Sequence, residues 1–175
     1  MKRPYHEHRK HAPRKLAFAL ITVSSSRYAA KTSGKPYSDE SQEIGFNLIR
    51  EAGHEVRLRD LVDDDLDMIR GRLLELLENP EVDVIIFIGG TGFSKDDKTI
   101  EAVKPLLEKV VEGFGELFRW LSFQEIGAAA ILSRALMGVV KDKVVICLPG
   151  SPHAVDLALR NFLSELPHLI YILRS

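Results

Sequence analysis

A glycine-rich segment, GGTG at residues 89–92, directly follows the apolar run VDVIIFI at 82–88. Glycine lets backbone N–H groups approach an anion closely and adopt positive φ angles. Successive amides of this kind form a concave anion site, to which a threonine hydroxyl adds a donor. The segment is neither a Walker A loop nor a G-x-G-x-x-G fingerprint. It predicts a phosphate-binding turn, or alternatively only a tight strand exit, made of Gly89, Gly90, Thr91 and Gly92.

A second segment of similar character, PGSP at residues 149–152, follows another apolar run. Serine followed by proline is typical of a helix start, and the amides of a first helical turn attract anions. We therefore expect Pro149, Gly150 and Ser151 to form a second phosphate-sized site, unless they only cap a helix. Two such sites indicate a ligand with more than one phosphate, or two phosphorylated ligands.

Carboxylates accompany these segments, although a carboxylate alone would repel phosphate. Asp64 lies within an acidic run at 63–65, and Asp97 follows Asp96 in the charged stretch after the glycines. Mg²⁺ typically takes one or two carboxylates together with phosphate oxygens and water. The pattern predicts that Asp64 and Asp97 hold Mg²⁺ and act in catalysis. The alternatives are helix capping for the acidic run and a solvated loop for Asp97.

Other polar candidates lie near the predicted strand ends, where ligands bind in open parallel sheets. A serine-rich segment follows the first strand, and Thr99 follows the second acidic pair. Asp39 could contact a ligand or cap a helix with Gln42, and Arg134 could fork onto a phosphate or carboxylate, or be an ordinary surface arginine. The predicted contacts of this group are Ser24, Ser26, Arg27, Asp39, Thr99, Ser133 and Arg134.

These residues need a scaffold that gathers them, and the hydrophobic pattern supplies one. Apolar runs alternate with amphipathic stretches, as expected for a parallel sheet with helices on both faces. The turn at 141–142 is too short for a crossover, so the strands around it should be antiparallel. The predicted fold is a three-layer αβα sandwich, mostly parallel with one antiparallel strand. We expect strands at 16–23, 54–62, 82–88, 135–140 and 143–148, and helices at 39–52, 66–78, after 99, at 114–126, and from 151 to before Pro167.

One predicted helix carries unusual aromatic content. Phe114, Leu117, Phe118 and Leu121 follow helical spacing and are expected in the core or in a subunit interface. Trp120 is expected to pack rather than to stack on a ligand.

Composition sets the broad class. The chain has 175 residues, 45% of them apolar, with a net charge of −1, which gives no global argument for binding nucleic acid or a membrane. Its single cysteine excludes an internal disulfide. No signal peptide or spanning run is visible, so a cytoplasmic protein is expected. We expect a basic flexible tail or oligomer arm at 1–15 and a single domain at 16–175.

Three motifs in order, GGTGFSKDDKTIEAV (89–103), FGELFRWLSFQEIGAAAILSRA (114–135) and LPGSPHAV (148–155), resemble the molybdopterin-binding domain family of molybdenum-cofactor biosynthesis. The second motif looks more like the MoaB-type than the MogA-type members. The resemblance implies a MogA-like fold and the Mg²⁺-dependent adenylylation of molybdopterin by ATP, which releases pyrophosphate. By motif, the family's two functionally critical aspartates fall on Asp64 and Asp97.

The resemblance also implies a symmetric homo-oligomer, trimeric or hexameric, and a MoeA-type metal-insertion protein as a possible partner. There are departures from the family pattern: Ser25 stands near a position that is often aspartate, and the glycine of an Asp-x-Ser-Gly motif is replaced by Gln42. A non-catalytic molybdopterin-binding or scaffold protein is therefore the alternative. A more distant likeness is to CinA-type proteins with nucleotide-pyrophosphate hydrolysis.

Overall fold

The computed structural model describes residues 11–175, so most of the basic segment predicted at 1–15 lies outside the described residues. The strands are β1 (Ala17–Val23), β2 (Glu55–Val62), β3 (Val84–Ile88), β4 (Lys109–Val110), β5 (Leu136–Val140) and β6 (Lys143–Leu148). The helices are α1 (Ser25–Thr32), α2 (Glu40–Glu51), α3 (Leu66–Glu78), α4 (Thr99–Val103), α5 (Glu112–Ile126), α6 (Pro152–Phe162) and α7 (Leu166–Leu173). Short 3₁₀ turns occupy Lys104–Leu106, Gly127–Leu132 and Leu163–Glu165.

The six strands form one sheet in the order β2-β1-β3-β6-β5-β4. The pairs β1–β2, β1–β3 and β3–β6 are parallel, whereas β5 runs antiparallel to both β6 and β4. Only β5 is therefore reversed among the described strands, and the predicted α/β fold is confirmed. The carboxyl ends of β1, β3 and β6 meet at one edge, because these neighbours share a direction.

Side chains of successive strand residues point to opposite faces of the sheet and build two apolar layers. On β3, Ile86 packs into the layer under α2, α5, α6 and α7, and Phe87 packs into the layer under α3 and α4. Both side chains are fully buried. A strand enclosed on both faces explains the uninterrupted apolar run at 84–88, within the predicted strand 82–88.

The sequence interpretation missed two helices, α1 and α7. The serine-rich segment predicted as a loop begins helix α1, where the Ser24 side chain accepts the N–H of Arg27. The helix that starts at Ser151-Pro152 ends before Pro167 as predicted, at Phe162, but the separate helix α7 that contains Pro167 was not predicted. That proline lies in the first turn of α7, where a missing N–H costs no helix hydrogen bond.

The aromatic helix α5 is only half absorbed by the core. Phe114 and Phe118 are buried as expected, but Leu117 is 52% and Trp120 58% exposed. The expectation that Trp120 packs is therefore wrong within this chain. None of the described helices is long and apolar enough to cross a membrane.

Candidate functional site

A pocket of about 700 Å³ opens at the carboxyl ends of β1, β3 and β6. Its walls gather segments that are far apart in sequence, as parallel neighbours with a common edge should. Most of the predicted site residues line it: Ser24, Arg27, Asp64, Gly89, Gly90, Thr91, Gly92, Asp97, Ser133, Arg134, Pro149, Gly150 and Ser151.

The GGTG loop (residues 89–92) leaves β3 in a backbone conformation that favours glycine. Gly89 and Gly90 have φ angles of 106° and 62°. A Cβ on Gly89 would lie 2.3 Å from the carbonyl oxygen of Val23, so only glycine fits there. The N–H groups of residues 90–93 donate no hydrogen bond to any residue within 11–175. The loop therefore presents unpaired donors, as an anion site requires.

Asp64 lies against the GGTG loop at Gly90. Its Oδ1 accepts the N–H of Lys98 at 2.8 Å, and a Cβ on Gly90 would lie 2.6 Å from its Oδ2. Burial raises the pKa of this carboxyl above its usual value; the Lys98 N–H opposes the shift, and Asp97 adds to it. An ionised Asp64 at this position is therefore under electrostatic strain that a cation would relieve.

Asp97 flanks the same loop at its next glycine. Its Oδ2 accepts the N–H of Ser94 at 2.8 Å, and a Cβ on Gly92 would lie 2.7 Å from that oxygen. The second carboxylate oxygen of each aspartate, Asp64 Oδ2 and Asp97 Oδ1, accepts no hydrogen bond from the described part of the chain. The two carboxylates thus approach the same loop at two of its glycines, and each has one oxygen without a hydrogen bond from residues 11–175.

This donor set fits a hard cation such as Mg²⁺, which uses few protein ligands and completes its shell with phosphate oxygens and water. No cluster of three or more His, Cys, Asp or Glu side chains suited to a metal occurs within residues 11–175. An all-protein metal cage is therefore not what these side chains build.

The PGSP loop (residues 149–152) touches the GGTG loop. A Cβ on Gly150 would lie 3.2 Å from the Cα of Gly89, so the two backbones are in direct contact. The carbonyl of Gly150 accepts the hydroxyl of the buried Ser41 at 2.7 Å, which anchors this loop to α2. Ser151 caps α6, as predicted, by accepting the N–H of Ala154. Ser41 carried no sequence signal for this role, because its partner is 109 positions away.

Arg134 enters the pocket wall from the opposite side, and protein acceptors already occupy its guanidinium. Nε donates to the carbonyl of Thr91 at 2.9 Å, and Nη2 donates to the carbonyl of Gly92. Nη1 pairs with Glu101 at 2.6 Å, and this hydrogen bond lowers the pKa of Glu101. The fork that the sequence suggested for a ligand is made to the loop itself.

The segment after β1 contributes part of what was predicted. Ser24 and Arg27 line the pocket together with Ser25, whereas Ser26 does not. Ser26 reaches only the hydroxyl of Ser24, at 3.3 Å, and Nε of Arg27 donates to the carbonyl of Ser38 at 2.8 Å. Ser25 was considered only as a substitute for a family aspartate, and the helical turn at α1 is what brings it to the pocket.

Two other predicted contact residues lie outside this pocket. Thr99 is fully buried, and its hydroxyl donates to the carbonyl of Gly89 at 2.7 Å, so it supports the loop from within. Asp39 caps α2 by accepting the N–H of Gln42 and accepts the hydroxyl of Thr22 at 2.5 Å. Asp39 faces a separate polar depression beside α2.

Part of the pocket lining is apolar and was not predicted as a site. Phe118, Ile126, Leu132 and Leu157 belong to it. The 3₁₀ turn Gly127–Leu132 directly follows α5 and ends at Leu132 in the pocket lining. Hydrophobic periodicity in a single sequence does not reveal such a turn. The pocket therefore combines backbone donors suited to an anion with apolar side chains.

An open α/β sheet with unpaired amides and two carboxylates at its carboxyl edge is an arrangement suited to phosphorylated ligands. Residues 19–168 match the family described as "Probable molybdopterin binding domain". The chain belongs to this molybdopterin-binding domain family, and the resemblance drawn from its motifs is confirmed.

Similar proteins agree with this assignment over almost the whole chain. A Bacillus cereus protein named "Molybdenum cofactor biosynthesis protein B" is 41% identical over 167 residues, covering 94% of this chain and 95% of that protein. A Methanocaldococcus jannaschii protein named "Probable molybdopterin adenylyltransferase" is 37% identical over 160 residues, covering 91% and 95%. The crystal structure of the tungsten cofactor synthesizing protein MoaB from Pyrococcus furiosus is similar at 33% identity, with a TM-score of 0.81 and coverage of 94% and 100%.

Proposed function

We propose that this protein is a molybdopterin adenylyltransferase of molybdenum or tungsten cofactor biosynthesis. In the proposed reaction, an oxygen of the terminal phosphate of molybdopterin attacks the α-phosphorus of ATP. The bond from the α-phosphorus to the bridging oxygen of the β-phosphate breaks, pyrophosphate leaves, and adenylyl-molybdopterin forms.

The observation that carries the proposal is that Asp64 and Asp97 both line the pocket and both approach glycines of the GGTG loop. Each keeps one carboxylate oxygen free of hydrogen bonds from residues 11–175. In the proposal these oxygens hold Mg²⁺, which would neutralise charge on the phosphates during transfer. The raised pKa of Asp64 supports this role, because a partly buried carboxylate near other carboxylates gains more from a cation than a solvated one does.

The anion donors explain how the phosphates would be oriented. The N–H groups of residues 90–93 and of Gly150 and Ser151 have no partner among the described residues. Gly150 contacts Gly89 and both loops line the same pocket, and in the proposal both sets of donors face that shared space. Two phosphate groups held there would be placed side by side, and orientation of this kind lowers the barrier to transfer.

The apolar part of the pocket lining supports a ligand that is more than phosphate. Phe118 and Leu157 belong to this apolar wall. A planar heterocycle such as a pterin or a purine loses little by leaving water for such a wall. The name of the M. jannaschii relative supports the transferase proposal, whereas the B. cereus relative is named only for the pathway.

The test uses the full chain with purified molybdopterin, Mg²⁺ and ATP labelled at the α-phosphorus. We expect label in adenylyl-molybdopterin, with loss of the signal when Mg²⁺ or the pterin is omitted and in Asp64→Asn and Asp97→Asn. Arg160→Lys is the matched control, since Arg160 pairs with Asp156 on the exposed side of α6. Tight pterin binding without labelled product would favour a non-catalytic scaffold, and pterin-independent release of AMP would favour hydrolysis.

A further inference from the structure

Arg134 and Glu101 form a hydrogen-bonded pair beside the GGTG loop, and neither has a role in the proposed reaction as described above. The guanidinium makes four contacts, two to backbone carbonyls of the GGTG loop and two to the Glu101 carboxylate. Its Cζ also lies 5.1 Å from the centre of the Phe93 ring. The side chain of Arg134 is 22% exposed, and that of Glu101 is 45% exposed.

The carbonyl contacts fix the direction of the loop amides. A trans peptide is planar, so its N–H points opposite to its C=O; the described chain contains no cis peptide. Holding the Thr91 and Gly92 carbonyls on the guanidinium therefore turns the N–H groups of Gly92 and Phe93 away from it. These are among the amides that have no hydrogen-bond partner within residues 11–175.

The same contacts fix the position of the loop against the second aspartate. Gly92 lies between Arg134, which binds its carbonyl, and Asp97, whose carboxylate would be 2.7 Å from a Cβ on Gly92. A displacement of Gly92 away from the guanidinium would break the arginine hydrogen bond to its carbonyl, and only glycine leaves room for the Asp97 carboxylate at this position. Arg134 thus sets the spacing between the loop amides and the Asp97 carboxylate.

Glu101 limits what else the arginine can do. The carboxylate faces both terminal nitrogens, at 2.6 Å and 3.3 Å, and offsets the charge of the guanidinium. A guanidinium that is paired and already bonded to two carbonyls has little capacity left for a phosphate fork. Its contribution is then geometric more than electrostatic.

We propose that Arg134 is a positioning residue, held by Glu101, that aligns the GGTG loop for phosphoryl chemistry without binding the phosphate itself. The inference rests on the proposed function for its kinetic consequences. It predicts a loss of kcat with little change in KM for ATP, because misplaced loop amides weaken transition-state contacts more than ground-state binding.

The experiment compares Arg134→Ala, Arg134→Lys and Glu101→Gln in the full chain, with Arg160→Lys as the control. We expect Arg134→Ala to lower kcat about 100-fold, with KM for ATP within about threefold of the parent value. Arg134→Lys should recover little, since an ammonium cannot bridge two carbonyls and a carboxylate in a plane. Glu101→Gln should lower kcat by a smaller factor and have no further effect in the Arg134→Ala background, because Glu101 acts through the arginine.

A second readout does not depend on turnover. Amide resonances of residues 90–93 in the ligand-free protein should shift in Arg134→Ala and in Glu101→Gln, and stay in place in Arg160→Lys. Unmoved loop resonances, full activity in Arg134→Lys, or a raised KM at unchanged kcat would each overturn the inference. If the parent protein makes no adenylyl-molybdopterin at all, the proposed function fails, and the amide resonances still decide the role of Arg134.

Discussion

The carboxylate of Asp64 accepts the backbone N–H of Lys98 at 2.8 Å across 34 positions of sequence. This bond ties the segment after β2 to the segment after the GGTG loop. It also places a partly buried negative charge where Asp97 and Asp63 both disfavour it. The position is therefore poor for stability and, in our proposal, good for holding a cation.

Asp64→Asn should abolish turnover without weakening the fold. The asparagine oxygen can still accept the Lys98 N–H, and the variant removes a carboxylate whose folded-state pKa lies above its usual 3.8. The ionised carboxylate lowers the free energy of unfolding at pH values above its folded-state pKa. This cost decreases as the pH falls through the folded-state pKa and is absent below the usual value. We expect adenylyl transfer to fall about 100-fold or more and the Tm at neutral pH to stay equal or rise. Calorimetry should also show that Mg²⁺ with ATP stabilises the parent more than the variant. A Tm of Asp64→Asn clearly below that of the parent would contradict the electrostatic strain inferred at Asp64.

Gly90→Ala should disturb the site and the fold together. The new Cβ would lie 2.5 Å from the Thr99 hydroxyl and 2.6 Å from Asp64, at a φ of 62°. The backbone strain alone corresponds to about 1–3 kcal/mol, and the carboxylate must also move. Denaturant unfolding and the labelled-ATP assay measure the two effects.

Gly71→Ala is the matched control for that substitution. Gly71 lies inside α3, and a Cβ there meets nothing within 4 Å. Alanine should stabilise the helix by about 0.5–1 kcal/mol and leave transfer unchanged. If Gly90→Ala and Gly71→Ala changed stability and transfer equally, the close approach of Thr99 and Asp64 to Gly90 would be ruled out.

His54 should make stability depend on pH. Its imidazole is only 8% exposed, Nδ1 accepts the N–H of Leu16 at 3.3 Å, and burial lowers its pKa below the usual 6.5. Between the two pKa values the unfolded chain binds a proton that the folded chain does not. The His54 contribution to the free energy of unfolding is therefore fully present above about 6.5 and declines as the pH falls toward the folded pKa.

The measurement is urea unfolding of the parent and His54→Asn between about pH 7 and pH 5. Asparagine keeps an acceptor for Leu16 but does not titrate in this range. The variant should be less stable at pH 7, because it loses the ring contact with Phe18 at 5.6 Å, yet show a flatter profile. Parallel profiles for the two proteins would be evidence against a buried neutral imidazole.

Trp120→Glu should weaken self-association. Leu117, Trp120 and Phe123 on α5 are 52%, 58% and 57% exposed in the single chain, and we propose that this face contacts another copy in a homo-oligomer. A buried tryptophan at an interface commonly contributes about 2 kcal/mol or more. Light scattering over a dilution series should show a smaller species for Trp120→Glu than for Gln124→Glu, which adds the same charge at an exposed polar position of the helix.

The sequence predicted the scaffold better than the site. The continuous apolar run at 82–88 and the Ser151-Pro152 start of α6 are local signals, and both match the structure. Thr99 and Asp39 have residue types that suit ligands, but their hydroxyl and carboxylate serve the backbone nearby. Whether such a group contacts a ligand or the backbone depends on which hydrogen-bond partner it faces in the fold. Residue type does not determine that partner.

The roles of Ser41 and Glu101 could not have been predicted in the same way. Each acts on a residue more than thirty positions away, Gly150 for the first and Arg134 for the second. Hydrogen bonds between polar groups far apart in sequence leave no periodic trace in a single sequence. α1 was missed for a related reason: none of its residues is buried, so it has no apolar face to detect.

The contact between Gly89 and Gly150 has a practical consequence for anyone redesigning this pocket. The two backbones are in contact with no side chain between them. Side-chain substitutions elsewhere in the pocket therefore do not change the distance between the two glycine turns. Altered ligand preference would have to be engineered at Ile126 or Leu132, which line the same pocket and are exposed, so that their side-chain volume can change while the spacing of the two turns stays the same.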